Sequence, residues 1–232
     1  MTQRIIEITS PRYIPVEKLP TELSSDFLFG EELPVALEIG CGTGHFVADM
    51  AEKHQETGFI AIDIYNRGCY KTCRKADNRV LDNVRVLRME ARDLLRHLPK
   101  NFLSAVYVNC PDPWPKKRHR KRRLVNEDLL EQLRYVLKPG GHFYFVSDFG
   151  DYTEVVEMLL GREPGWQTVT TRRIEQPPED YPVSKYMRRF LDKGEPLYYV
   201  QGCREPGDRL SGRPPEKPRR GFRLPWGKLA HG

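Results

Sequence analysis

The sequence has no apolar run approaching the length of a membrane-spanning helix. Its first residues, Met1-Thr2-Gln3-Arg4-Ile5-Ile6-Glu7, lack the apolar core of a secretory signal. Cysteine is scarce: five residues, odd in number and scattered, imply no disulfide framework and suit a reduced cytoplasmic protein. Cys69 and Cys73 lie four apart on an expected helix, but no further ligands of suitable spacing stand near them. They read as small core residues, and no metal site is expected. Acid is missing altogether from residues 116–123, which hold seven Lys/Arg and His119. It is thin from Arg204 onward, where eight Lys/Arg face three acids. The remainder has 23 basic and 29 acidic residues, so the net charge of +6 hides a mildly acidic body with two basic regions. That distribution fits a surface for phosphates. The length of 232 residues suits one domain with a sizeable core.

The stretch around which the chain is organised runs Asn109-Cys110-Pro111-Asp112-Pro113-Trp114-Pro115 and then into the basic run from Lys116 to Arg123. Ser104 to Val108 before it is a short apolar run and predicts a buried strand. Three prolines then stop any regular element and leave Asp112 on a backbone with little freedom. A stiff turn carrying one carboxylate thus opens onto a cationic loop.

The rest of the chain alternates strand and helix. Residues 1–33 form a leader in which Ile5, Ile6 and Ile8 suggest a short strand. There Ser10-Pro11-Arg12-Tyr13 suggests a turn or an extended arm, either for RNA or for packing across the domain. Val35–Ile39 predicts a strand, followed by Gly40-Cys41-Gly42-Thr43-Gly44 and a helix over 45–54 with Phe46, Val47, Met50 and Ala51 on one face. Strands are predicted over 59–63 and 84–89, with a helix over 66–75 between them and a short one over 91–98 after them. Asn126 predicts an N-cap for a helix that ends at Lys138-Pro139-Gly140-Gly141. A strand over 142–148, a helix over 152–160 and closing strands over 167–173 and 197–200 complete the count. Asp180 to Arg189 reads as a polar and aromatic segment. Three successive strands end in an acid, Glu38, Asp63 and Glu90, and Asp148 ends the fifth. Acids at strand carboxyl ends converge on the crevice where open α/β sheets bind ligands. From Arg204 on, Pro, Gly and Arg dominate and cannot bury a core, although Phe222, Leu224 and Trp226 offer an anchor.

Glu38-x-Gly40-x-Gly42-x-Gly44, with Asp63 after the second strand, resembles the cofactor site of class I S-adenosylmethionine-dependent methyltransferases. Pro111-Asp112-Pro113-Trp114-Pro115-Lys116-Lys117-Arg118-His119-x-Lys121-Arg122-Arg123, followed by Leu124-Val125, closely resembles the signature of the tRNA (guanine-N7)-methyltransferases, the TrmB family. The resemblance covers about residues 11–200. It implies a Rossmann-like α/β fold: a mostly parallel seven-stranded sheet with helices on both faces, over residues 34–203. An N-terminal arm, 1–33, would precede this domain, and a basic Pro/Gly-rich tail, 204–232, expected to be disordered, would follow it. The resemblance further implies S-adenosylmethionine as cofactor, tRNA as partner, no membrane, and a guanine target at position 46 in the variable loop. Monomer and homodimer both fit.

The family's roles carry over by position. Glu38, Gly40, Gly42, Gly44, Asp63, Glu90 and Asp112 match cofactor-binding residues, with Glu90 where the family usually has Asp or Asn. Asp112 also matches the suspected catalytic residue. Lys116 and Asp148 match substrate-binding positions. Ser184-Lys185-Tyr186-Met187 aligns with Thr-Lys-(Phe/Tyr)-Glu, so Ser184 keeps the hydroxyl and Met187 loses the carboxylate. Trp114, Tyr181 and Tyr186 are candidates for stacking on an unstacked base. Two alternatives stay open on the sequence. One is an inactive RNA-binding relative, supported by Met187. The other is an amino-methyltransferase on another nucleic acid, whose Asn-Pro-Pro-Tyr-like motif differs from Asn109–Trp114 by an insertion.

Overall fold

The computed structural model describes residues 5–174, 180–208 and 213–216. Seven strands form one sheet: β1 (Val35–Ile39), β2 (Gly58–Ile62), β3 (Val84–Leu87), β4 (Leu103–Asn109), β5 (Leu137–Ser147), β6 (Trp166–Ile174) and β7 (Leu197–Arg204). Their order is β3-β2-β1-β4-β5-β7-β6. The first five run parallel, and β7 is antiparallel to both β5 and β6. The chain moves outward from β1 to β3 and then returns to place β4 against the other side of β1. The strand order therefore reverses between β1 and β4, where α/β sheets open a crevice at their carboxyl ends.

The α-helices among the described residues are α1 (Ser25–Phe29), α2 (His45–Lys53), α3 (Asn66–Asn78), α4 (Ala91–Leu95), α5 (Glu127–Val136), α6 (Gly150–Arg162) and α7 (Lys185–Leu191). Strand side chains alternate between faces, and two buried clusters follow from that. Leu37 and Ile39 join Leu129, Leu133 and Val156 of α5 and α6 in one. Ala36 joins Phe46, Val47 and Cys73 of α2 and α3 in the other. Helices thus cover both faces, as expected.

Three local differences have physical reasons. Val136 ends α5, but β5 begins at once with Leu137, because β4 and β5 pair through Leu103↔Leu137 and then Ala105↔His142. Residues 138–141 form the irregularity between these pairs, where Pro139 removes no ladder bond. The leader makes no strand at Ile5–Ile8. There the Ile6 amide donates to Asn66 Oδ1 at 2.7 Å, and Asn66 Nδ2 donates back to the Ile6 carbonyl. Arg12 and Tyr13 pack across the domain and are not a free arm. Arg12 is buried and donates to the Leu81 carbonyl, Asp77 and Asp82, and Tyr13 bridges to Val86. Finally, residues 185–191 form a helix whose N-cap, Ser184, accepts from the Met187 amide at 3.2 Å.

Arg204 closes β7 fully buried and pairs with Asp208, whose carboxylate also meets Arg134. Arg213 pairs with Asp128 and Glu131 of α5. Phe222, Leu224 and Trp226 lie outside the described residues.

Candidate active site

The glycine turn after β1 is fixed by backbone bonds before any ligand is considered. Gly40 and Cys41 donate to the Ile62 carbonyl at 2.8 and 2.9 Å, tying the turn to the end of β2. Gly42 donates to Asp63 Oδ2 at 2.8 Å, while Asp63 Oδ1 accepts from Tyr65. Asp63 therefore holds the turn, and each of its oxygens keeps acceptor capacity for a ligand hydroxyl. Burial raises its pKa, against the backbone bonds that lower it.

The glycines divide by role. Gly40 and Gly42 have positive φ and open space where a side chain would stand. Gly44, φ 71°, would place a Cβ 2.7 Å from Thr72 Cγ2 and 2.8 Å from Thr72 Cα. It lets α2 start against α3, so it shapes the turn from behind and is not exposed to a ligand. Gly68, unremarked in the sequence, does the same from α3: its Cβ would fall 2.6 Å from the Gly42 carbonyl oxygen. Gly44→Ala is expected to cost about 2 to 4 kcal/mol, adding left-handed strain to overpacking. That should lower the melting temperature by about 5 to 10 °C in a chain of this size. An unchanged Tm in calorimetry would show that α2 and α3 part freely.

Glu38 lies below this turn, 2 % exposed. Its Oε1 accepts from Asn109 Nδ2 at 3.4 Å, and its Oε2 is buried with no hydrogen-bond partner. Burial pushes its pKa up to about 8; Asn109 and the Val47 backbone amide oppose the rise, and the neighbouring Asp63 adds to it. A buried carboxylate with one orphan oxygen favours a cation beside it. Asn109, the last residue of β4, is fixed in turn by Tyr181, whose hydroxyl donates to Asn109 Oδ1 at 2.8 Å. Tyr181 is buried, packed edge to face on Tyr199 and tilted against Phe46, so it is a core residue and not a stacking platform.

A small cleft opens over Glu38 between the turn and the start of α7. Gly40, Gly42 and Thr43 form one wall, and Ser184, Lys185 and Tyr186 form the other. Residues far apart in sequence thus meet on one cavity. Lys185 and Tyr186 are exposed, so Tyr186 is free to stack. Met187 is not: its side chain is fully buried in the core beneath α7. The substrate-binding role expected of Met187 finds no exposed side chain to carry it, because its thioether, at 0 % exposure, packs α7 against the core.

The proline-rich turn continues from Asn109. Cys110 and Trp114 both take left-handed backbone conformations, φ 48° and 43°, on either side of Asp112. Non-glycine residues are held there only when their surroundings demand it. The demand comes from two bonds: the Cys110 amide to the Val146 carbonyl at 2.8 Å, and Arg123 Nε to the Pro113 carbonyl at 2.9 Å. Arg123 is itself buried, lies 4.5 Å over the Tyr152 ring and pairs with Asp151. Asp112 is exposed, and among the described residues no hydrogen bond or ion pair reaches its carboxylate. Burial pushes the Cys110 thiol up to about 12, and Asp148, just past β5, adds to the rise. The pKa of Asp148 is itself raised by burial.

The basic loop is a 3-10 helix over Lys117–Arg122. Its cations are not equivalent. Arg120 pairs with Asp151 at 2.5 Å, and Arg122 lies 4.9 Å over the Trp114 ring, which covers that ring. Lys116, Lys117, Arg118 and Lys121 are exposed with no acidic partner among the described residues.

Glu90 stands at the carboxyl end of β3 but turns away from the cleft. It caps α4 by accepting from the Arg92 amide at 2.7 Å, and its other oxygen pairs with the buried Arg92 guanidinium. That guanidinium reaches on to Asp128, Asn126 and the Leu124 carbonyl. Glu38 near the end of β1, and Asp63, Glu90 and Asp112 past the ends of β2, β3 and β4, thus stand at four adjacent strands, and Glu38 alone of them lines the cleft.

The chain is similar to known proteins. Residues 32–200 match a family described as "Putative methyltransferase". The tRNA (guanine-N(7)-)-methyltransferase of Syntrophotalea carbinolica is 45% identical over 227 residues, 97% of this chain and 98% of that protein. The chain belongs to the tRNA (guanine-N7)-methyltransferase, or TrmB, family. The family member from Geobacter metallireducens is 46% identical over 200 residues, 85% of this chain and 95% of that one. Among solved structures, the 16S rRNA methyltransferase KamB superposes with a TM-score of 0.58 at 19% identity, covering 80% of this chain and 96% of its own. At that identity KamB supports the Rossmann-like fold alone.

Proposed function

We propose that this chain transfers the methyl group of S-adenosylmethionine to N7 of a guanine in tRNA, at position 46 of the variable loop, in the cytoplasm. The observation that carries this reading is the shared cleft, where the glycine turn and Glu38 face Ser184, Lys185 and Tyr186. One wall carries the family's cofactor residues and the other its substrate residues. The cofactor fits this chain: the orphan Glu38 Oε2 suits its cationic end, Gly40 and Gly42 leave room for close approach, and Asp63 has acceptors for ribose hydroxyls. Glu90 and Asp112 complete the acids at the strand ends. When bound, S-adenosylmethionine supplies an electrophilic methyl on a sulfonium.

Guanine N7 has a lone pair and no proton at neutral pH, so the chemistry asks for alignment more than for a strong base. The N7–methyl bond forms as the methyl–sulfur bond breaks, and its electron pair stays on sulfur. Positive charge passes to the purine, where Asp112 or Asp148 is placed to stabilise it. Lys116 meets a phosphate or guanine O6. Ser184 and Lys185 orient the base, and Tyr186 stacks on it.

The loop holds RNA through Lys117, Arg118 and Lys121, because Arg120 is committed to Asp151. Reversing those three charges is expected to weaken tRNA binding by at least tenfold. The slope of log affinity against log salt should fall by about 2 to 3. Equal slopes for variant and wild type would make the loop merely solvated. The reading as a whole is tested by incubating the protein with cofactor and unmodified tRNA, then locating 7-methylguanosine by mass spectrometry of the digest. Methyl on an exocyclic amino group, or none, overturns it.

A further inference from the structure

The cations of α3 are spread at helical spacing among buried residues, so they form no run in the sequence. Cys69, Thr72, Cys73 and Ala76 turn into the core, and Lys71, Arg74 and Lys75 turn outward. Lys71 and Lys75 are one turn apart, about 6 Å along the helix axis. The acids near this face are paired with arginines other than Arg74. Asp77 of α3 takes Arg12 and Ser10. Asp49 and Glu52 of α2 both pair with Arg79. Lys71, Arg74 and Lys75 have no acidic partner among the described residues; Arg74 lies 6.0 Å over the Tyr70 ring.

This face is also concave. Lys71, Arg74 and Lys75, with Tyr70 and Arg79, border a depression whose inner edge is Thr43. Thr43 lines the cofactor cleft as well, so the two hollows share a wall. Cations reach across it: His45, in the cleft wall, has its pKa lowered by burial first and then by Lys75, against Asp49, with Lys185 and Arg79 adding to the fall. Positive potential therefore extends from α3, past the glycine turn, to the first residue of α7.

We propose that Lys71, Arg74 and Lys75 form a second phosphate-binding surface, separate from the loop at 116–123, that takes the backbone of the RNA substrate beyond the methylated guanine. The proposal rests on the tRNA-methyltransferase reading above. Two cationic surfaces near one cleft would hold a folded RNA at two points. They would fix its orientation, which a single point of contact cannot do. Charge complementarity selects the occupant, since cations without acidic partners, beside the cofactor cleft, suit a polyanion.

The test compares K71E/R74E/K75E with wild type, using unmodified tRNA across a salt series and a separate titration with S-adenosylmethionine. The expected result is tRNA affinity weakened about tenfold or more and a log–log salt slope smaller by about 2 to 3. The catalytic loss should fall on KM for tRNA, with cofactor affinity at the wild-type value. The neutral variant K71Q/R74Q/K75Q should lie between the two, which separates lost charge from lost fold. Wild-type affinity and slope in both variants overturn the α3 surface alone. A wild-type protein that transfers no methyl to tRNA overturns the reading on which it rests.

Discussion

Asp112→Ala is expected to lower kcat for methyl transfer by two to three orders of magnitude while leaving the melting temperature within about 2 °C of wild type. The size is that of removing one preorganised electrostatic partner from a charge that develops in the transition state. The intact fold follows from the position: Asp112 is exposed, and no side chain or amide among the described residues depends on its carboxylate. Its placement is set by others. Cys110, Trp114 and the Arg123–Pro113 bond hold the turn, and none of them uses the Asp112 side chain. Asp112→Asn separates charge from shape, and single-turnover kinetics with saturating tRNA reads the chemical step directly. Turnover within a factor of three of wild type would remove Asp112 from the mechanism and leave Asp148 as the carboxylate near the purine.

Glu38→Gln is expected to weaken cofactor binding by at least tenfold above pH 8 and to flatten its pH profile. In the free protein burial holds the Glu38 pKa at about 8, well above an ordinary carboxylate. A cation beside it favours the ionised form, so wild-type affinity should rise by up to tenfold per pH unit as pH approaches 8 and level off above it. The difference between the two profiles isolates Glu38 from the ligand's own titration. Stability moves the other way. With the folded pKa raised, the contribution of Glu38 is fully present below about 4.5 and is lost as pH rises through about 8. The ligand-free Gln variant should therefore gain a few kcal/mol over wild type above pH 8, read as a higher Tm. Parallel calorimetric profiles at pH 6 and pH 9 would show that Glu38 is already paired.

Much of the site was legible because its chemistry is local in sequence. The glycine turn, Glu38 two residues before Gly40 and Asp63 after the next strand follow from strand–turn–helix geometry, and the structure places them together. The helices α2 and α5 were legible from their apolar faces, and the α5 cap from Asn126, whose side chain accepts from Leu129. The helix α7 was not, because Lys185-Tyr186-Met187-Arg188-Arg189 shows one buried residue and no apolar stripe. Ser184 and the packing of Met187 decide it. Tyr181 looked like an exposed ring beside a polar segment, and its hydroxyl bond to Asn109 lies across 72 residues of chain. Gly44 and Gly40 looked alike, yet α3 stands behind one and open space before the other.

The sequence by itself determined the alternating α/β order, the carboxylates at the strand ends and the family, because these depend on residue type and near-neighbour spacing. Only the tertiary structure decided which of those groups are free to act. It spends Arg120 and Arg123 on Asp151, turns Glu90 toward Arg92 and buries Met187. It leaves Asp112, Lys116 and the α3 cations open. The reason is that availability depends on partners brought from distant elements, and an ion pair or a buried contact across tens of residues leaves no periodic trace in the chain.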